Sequence, residues 1–344
     1  MKITDLFGIE LPIVQAPMAG VQGSALAAAV SKAGGLGSLP AAMLSADALR
    51  AEVEAIREKT DRPFNVNFFC HAEPRLDAER DAAWRRKLSP YYDELGVARD
   101  AVAKGPARAP FNDDHAAAIE ALKPAVVSFH FGLPEERLLE RVRKTGAKIL
   151  SSATTVDEAR WLEERGVDAI IAQGLEAGGH RGMFLTDDIT TQLGTFALLP
   201  QIVDAVRIPV IAAGGIADAR SVAAAMRLGA AGVQAGTAYL LCPEATTNTI
   251  HRAALQSDAA RHTAVTNVVT GRPARGIVNR IIRELGPMSA DVPAFPLATP
   301  ALMPLRAAAE ARGSADFSPL WAGENAPYCR AVSAAEVTRA LAAF

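Results

Sequence analysis

His180 stands between two glycine groups in Ala177-Gly-Gly-His-Arg-Gly182, directly after the apolar, strand-length run 169–173. Imidazole titrates near neutral pH, so a histidine delivered into a loop can accept or donate a proton under ordinary conditions. Gly178 and Gly179 let the backbone approach a ligand closely in the same loop. Two more glycine clusters follow apolar runs: Gly214-Gly215-Ile216 after 208–213, and Gln234-Ala235-Gly236-Thr237 after the start of the run at Gly232. Bare amides of this kind can face phosphate oxygens, with Asp218 as N-cap of the next helix and Thr237 adding a hydroxyl. Cys70, Cys242 and Cys329 show no CxxC spacing and are odd in number, which predicts neither a disulfide framework nor a metal site.

The elements that must position these residues alternate short apolar runs with longer Ala-rich amphipathic ones. Strands are predicted at 12–18, 35–39, 64–69, 125–131, 147–153, 169–173, 209–213 and 232–238, with helices at 23–33, 46–58 (Ser45 as N-cap), 135–144 and 156–165. Continuous apolar runs separated by helices suit parallel strands buried on both faces, and the arrangement predicted is an α/β fold, a (β/α)8 TIM barrel. A doubly wound open sheet competes. It gathers ligands mainly at one switch point, whereas here candidate ligand residues follow at least six runs, and the glycines of 33–38 do not spell GxGxxG. The pattern breaks at 70–114, which holds Trp84, Tyr91 and Tyr92 among charged and Pro-containing sequence and is predicted as an inserted, mainly helical segment. After Leu240 the chain turns to helical segments and Pro-rich irregular stretches at 287–304 and 318–327. The division expected is a barrel of 1–69 and 115–242, the insertion 70–114, and a helical and irregular region 243–344 packing beside the barrel mouth. No solenoid repeat or low-complexity tract is present.

Composition narrows the partners. The chain has 344 residues, half of them hydrophobic, enough for one large barrel with a subdomain. Lys plus Arg (36) nearly balances Asp plus Glu (38), so no global field recruits nucleic acid or an anionic membrane. A small-molecule substrate is the expectation, and cysteine usage fits the cytoplasm. Residues 11–31 carry no charge, but Pro12, Gln15, Pro17, Gly20, Gln22 and Gly23 interrupt that run and Asp5 and Glu10 precede it. Neither a membrane span nor a signal is predicted.

Four stretches together resemble the nitronate monooxygenase family, formerly called 2-nitropropane dioxygenases. They are Pro12-Ile-Val-Gln-Ala-Pro-Met-Ala19, Phe64-Asn-Val-Asn67, Gln173-Gly-Leu-Glu-Ala-Gly-Gly-His-Arg-Gly182, and Pro209-Val-Ile-Ala-Ala-Gly-Gly-Ile216 with Leu228-Gly-Ala-Ala-Gly-Val-Gln-Ala-Gly-Thr237. Ser318-Pro-Leu-Trp-Ala-Gly-Glu-Asn325 looks like the family's closing segment. Flavin-dependent enoyl-acyl carrier protein reductases share the barrel and these loops; Arg181, where those reductases carry an apolar residue, favours nitronate oxidation.

The resemblance implies FMN. Main-chain groups of Ala16, Pro17 and Met18 would meet the isoalloxazine edge, and the amides of Asn67 and Gln173 match its alternating N–H and C=O groups. Gly178, Gly179, Gly214, Gly215, Gln234, Ala235, Gly236 and Thr237 would line the ribityl phosphate end. His180 is the expected catalytic residue, taking an α-proton from a nitroalkane or hydrogen-bonding a nitronate oxygen. His130 is expected to orient the substrate and Arg181 to offset its negative charge, while His71, His115, His251 and His262 have no such setting. The implied reaction is oxidation of a nitronate, such as propionate 3-nitronate, by O2 to a carbonyl product plus nitrite or nitrate, in a monomer or a homodimer. Two alternatives stand beside it: an NAD(P)H-dependent reductase of enoyl thioesters or quinones, and a non-enzymatic FMN-binding redox sensor.

Overall fold

The computed structural model describes residues 2–101 and 108–344; residues 102–107 of the expected insertion lie outside the described residues. The strands are β1 (Ile13–Gln15), β2 (Gly37–Pro40), β3 (Phe64–Phe69), β4 (Val126–His130), β5 (Lys148–Ala153), β6 (Ala169–Gln173), β7 (Gly179–His180), β8 (Val210–Ala213), β9 (Gly232–Ala235), β10 (Thr263–Thr266) and β11 (Ala274–Ile277). Eight of them form one parallel sheet in the order β1-β9-β8-β6-β5-β4-β3-β2. A parallel bridge between Val14 and Leu36 joins its two ends, with Gln15 N donating to Leu36 O and Leu36 N to Ile13 O, both at 2.9 Å. The sheet is therefore a closed TIM-type barrel.

The predicted runs fold as parallel strands because their side chains have apolar neighbours on both sides. Inside the barrel, Val14, Leu36, Val126, Leu150, Ile171 and Ile211 pack together, and the short helix Ile3–Phe7 adds Ile3 and Phe7 to the same cluster. Outside, strand residues such as Val66, Val127 and Ile170 pack against helix residues such as Val53, Leu139 and Leu162. Ser45 and Asp218 cap their helices as expected, Ser45 Oγ accepting from Ala48 N at 3.2 Å and Asp218 Oδ1 from Ser221 N at 2.9 Å. The first and eighth strands are shorter than predicted. Ala16, Pro17 and Met18 lie beyond β1, and after β9 the chain turns into a 3-10 segment, Thr237–Tyr239.

Outside the barrel the expected helical insertion is present, while the region after Leu240 differs in part from expectation. The insertion contributes the helix Ala78–Leu95, whose Trp84, Leu88, Tyr91 and Tyr92 form a second core with Val268, Ile281, Leu302, Leu305 and Phe317 from the region after Leu240. Tyr92 Oη donates to Ala301 O at 2.6 Å, tying the two segments directly. The helix Asp113–Leu122 begins inside the expected insertion yet packs in the barrel's outer layer through Ala116 and Ile119. Region 243–344 is not wholly helical and irregular: β10 and β11 pair antiparallel, and β11 pairs with β7. Its last helix, Ala334–Leu341, returns to the barrel through Val337 and Leu341. Among the described residues no helix is long and apolar enough to cross a membrane.

Candidate active site

At the carboxyl ends of the barrel strands the chain surrounds one cavity. Its wall contains Ala16, Pro17 and Met18 after β1, Asn67 in β3, His130 at the end of β4, and Gln173 at the end of β6. Gly178, Gly179 and His180 follow, with Gly214 and Gly215 after β8 and Gln234, Ala235, Gly236 and Thr237 at the end of β9. Each residue expected to serve catalysis, substrate or cofactor therefore lines this cavity, with the exception of Arg181.

The His180 loop is held from three directions. β7 pairs with β11 through Ala274 opposite His180. The Gln173 amide braces the loop from beneath, Nε2 donating to His180 O at 3.0 Å while Oε1 accepts from Gly182 N at 2.7 Å. His130 Nε2 lies 3.2 Å from the same carbonyl and its Nδ1 lies 3.1 Å from Ser152 Oγ. Both ring nitrogens of His130 are thus committed to protein, which makes it a brace for His180 rather than a free substrate contact. Burial pushes its pKa down to about 4.

The His180 imidazole meets Phe295 and Trp321 at centroid distances of 5.2 and 5.5 Å. Its Nε2 is 2.9 Å from Thr270 Oγ1, and the Thr270 hydroxyl is 3.5 Å from Arg272 O, which can take its proton. In that arrangement Nε2 carries the hydrogen and Nδ1 keeps the lone pair. Burial, and after it the cations Arg108 and Arg272 together with His130 and His71, holds the His180 pKa well below the usual histidine range. The ring is neutral at neutral pH, the form a proton acceptor needs.

Arg181 corrects an expectation. Its side chain is fully buried. The guanidinium donates to Gln192 Oε1 at 3.0 Å, Gly174 O at 2.8 Å and Gln173 O at 2.7 Å. It straps the loop to the end of β6 and does not face the cavity, because these three acceptors take up its donors.

At the opposite end of the cavity, Gly215 adopts φ +71°, a conformation that favours glycine. Among the described residues, the amides of Gly215, Ile216 and Gly236 donate to no protein acceptor, and Gln234 Oε1 is buried without a partner. The segment 321–329 closes over these loops. Gly323 N donates to Thr237 Oγ1 at 3.0 Å, Asn325 Nδ2 to Gly215 O at 2.6 Å, and the Cys329 thiol to Thr237 O at 2.9 Å. Gly178 must be glycine for this closure, since a Cβ there would stand 2.5 Å from Gly323 N. On the far wall Asn67 gives both Nδ2 hydrogens to Ser128, at 3.2 Å to O and 2.9 Å to Oγ, leaving its Oδ1 for a ligand.

Some wall residues carried no signal in the sequence. Arg108 and His251 both line the cavity, and His251 Nε2 is buried without a partner. Gln15 and Gln22 act behind it: Gln22 Oε1 accepts from Gln15 Nε2 at 2.6 Å and from Met18 N at 3.0 Å, fixing the loop after β1. A buried glutamine in an apolar strand was a visible cue for such a brace, because it requires partners.

The sequence model of the nitronate monooxygenase family matches residues 1–343. A nitronate monooxygenase of Paraburkholderia phytofirmans is 43% identical over 342 residues, covering 98% of this chain and 93% of its own. One from Pseudomonas aeruginosa is 43% identical over 348 residues, covering 99% and 97%. Among solved structures, nitroalkane oxidase from Streptomyces ansochromogenes superposes with a TM-score of 0.89 at 39% identity, covering 99% of this chain and 96% of that one. With a family match along essentially its whole length, and a closed barrel bearing the His180 loop at its mouth, the chain belongs to the nitronate monooxygenase family of oxidoreductases.

Proposed function

We propose that this protein uses FMN and O2 to oxidise nitronates, propionate 3-nitronate among them, to a carbonyl product plus nitrite or nitrate. The observation that carries the reading is His180, neutral and turned into the barrel-mouth cavity in a chain of this family. FMN, when bound, supplies the electron acceptor for substrate oxidation.

The residues present fit that cofactor. Unpartnered amides at Gly215, Ile216 and Gly236 suit a phosphate, with Gly214 and Thr237 completing the cradle. The orphaned Gln234 Oε1 and the open Asn67 Oδ1 each await a donor; FMN has one ring N–H and ribityl hydroxyls that would serve. Ala16, Pro17 and Met18 form the adjoining wall, held by Gln22. Gln173 takes a different part from the one its type suggests, since both ends of its amide serve the His180 loop.

The protein's contribution to chemistry centres on His180 Nδ1. It accepts the α-proton of a neutral nitroalkane, and toward a nitronate the ring orients the substrate. Phe69, Phe131, Phe295 and Trp321 exclude water around the imidazole. The test is oxygen uptake by the purified protein with a nitronate, with nitrite and carbonyl measured and the released cofactor identified by mass. Oxygen uptake matched to carbonyl formation supports the reading. No uptake, together with NADPH oxidation driven by an enoyl thioester or a quinone, would replace it with a reductase.

A further inference from the structure

We propose that Arg108 receives a carboxylate carried by the substrate, so that the enzyme favours acid-bearing nitronates over those with neutral tails; this rests on the nitronate reading above. Arg108 lines the same cavity as His180. Its guanidinium carbon lies 5.9 Å from the centroid of the Phe295 ring, and the His180 ring lies 5.2 Å from that centroid. One aromatic wall therefore supports both groups.

Arg108 is a cavity-wall cation without an anion. Among the described residues its single side-chain hydrogen bond is a long one, Nη1 to Thr299 Oγ1 at 3.3 Å, and no carboxylate pairs with it. The cation beside it, Arg306, is already paired with Glu310 at 2.7 Å. Arg275 meets Glu324 at 3.0 Å and Arg280 meets Glu94 at 2.6 Å. Arg252 gives its donors to backbone carbonyls, and Arg272, which among the described residues has no acid either, lies over the Phe131 ring and does not line the cavity. A guanidinium drawn out of water without a counter-ion is costly, and its planar fork fits a carboxylate through two parallel hydrogen bonds. The cavity thus holds a cation with most of its donors unassigned.

Arg108 suits a remote carboxylate better than the nitronate itself. Oxidation removes the nitronate's negative charge, so a fixed cation against it would hold the reactant more tightly than the oxidised form and oppose loss of the electron. A carboxylate keeps its charge throughout. Binding it stabilises reactant and transition state alike and appears in KM rather than kcat.

The experiment compares the flavin-loaded wild type with Arg108→Gln and Arg108→Lys on propionate 3-nitronate and on propyl-1-nitronate, which has no carboxylate. Losing a charge-assisted pair should raise KM for the acid about 10–100-fold with kcat nearly unchanged. KM for the neutral-tailed nitronate should stay as it is. Arg108→Lys, which keeps the charge but not the fork, should show a smaller rise confined to the acid, and it serves if the Gln variant fails to fold. Calorimetric titration with propionate, which needs no turnover, should show the same loss of affinity. Equal KM changes on both nitronates, or propionate binding indifferent to Arg108, would overturn the proposal. If the wild type turns over neither nitronate while propionate binding still depends on Arg108, the nitronate reading falls and the carboxylate site stands.

Discussion

Replacing His180 by Asn separates proton abstraction from electron transfer. A neutral nitroalkane must lose an α-proton before it can be oxidised; a nitronate has already lost it. Asn keeps a polar group but has no titratable base, and the loop should survive. Its main chain is held by Gln173 Nε2 at 3.0 Å, by His130 at 3.2 Å and by pairing with β11, none of which uses the imidazole. General-base assistance is worth about 10²–10⁴-fold, so nitroalkane turnover should fall by that factor. The nitronate loses an orienting contact, worth about 1 kcal/mol, and should fall by roughly tenfold or less. Oxygen uptake on each substrate, after absorbance confirms that flavin is retained, gives the two ratios. Because the His180 pKa is held well below 6.5, the base is already free at pH 6.5, and the wild-type nitroalkane rate should show no acid limb there. Equal losses on both substrates would mean that His180 positions substrate or flavin and is not the base. No loss on either would remove it from the chemistry.

Three further outcomes follow from the same geometry. A Cβ at Gly215 would lie 3.9 Å from Glu176 Cβ and 4.0 Å from Asn325 Nδ2, so Gly215→Leu should fold despite its strained φ of +71° but release flavin, read as loss of the bound chromophore on gel filtration; retention at unchanged affinity would exclude the phosphate assignment. Arg181→Met removes the guanidinium donor from Gln173 O and Gln192 Oε1, while Gly174 O keeps Ala177 N at 3.1 Å; the loss should cost about 3 kcal/mol in urea unfolding, with KM for nitronates little changed in the folded enzyme. Burial lowers His71, His130 and His251 from 6.5 to about 4 each in the folded protein. Between those values the unfolded chain binds more protons, so stability should be complete above pH 6.5 and decline as pH falls toward 4; a melting temperature constant across that window would contradict the buried neutral rings.

The barrel was legible because its strands are buried on both faces and appear as continuous apolar runs such as Ala169–Gln173 and Val210–Ala213. The glycine clusters after β8 and β9 were legible for a related reason, since few other residues allow backbone that close to a ligand. The sheet of β7, β11 and β10 was not. β7 has two residues, and Ala274–Ile277 reads Ala-Arg-Gly-Ile, with no alternation to mark a strand. Its existence depends on pairing between segments about a hundred residues apart, which local pattern does not record. Arg181 was expected at the substrate because it follows His180 in the chain, whereas the carbonyls that bury it belong to Gln173 and Gly174, placed by a turn the chain makes in three dimensions. Arg108 and His251 arrive at the cavity on segments outside the barrel's repeating pattern, where spacing carries no directional information.

The most direct measurement mixes the purified, flavin-loaded protein anaerobically with a nitronate, and in parallel with NADPH, while following the flavin absorbance. The account predicts rapid bleaching or radical-type absorbance with the nitronate, saturating with its concentration, and slow or no reduction by NADPH. Rapid reduction by NADPH, with an oxidised spectrum left unchanged by the nitronate, would contradict it.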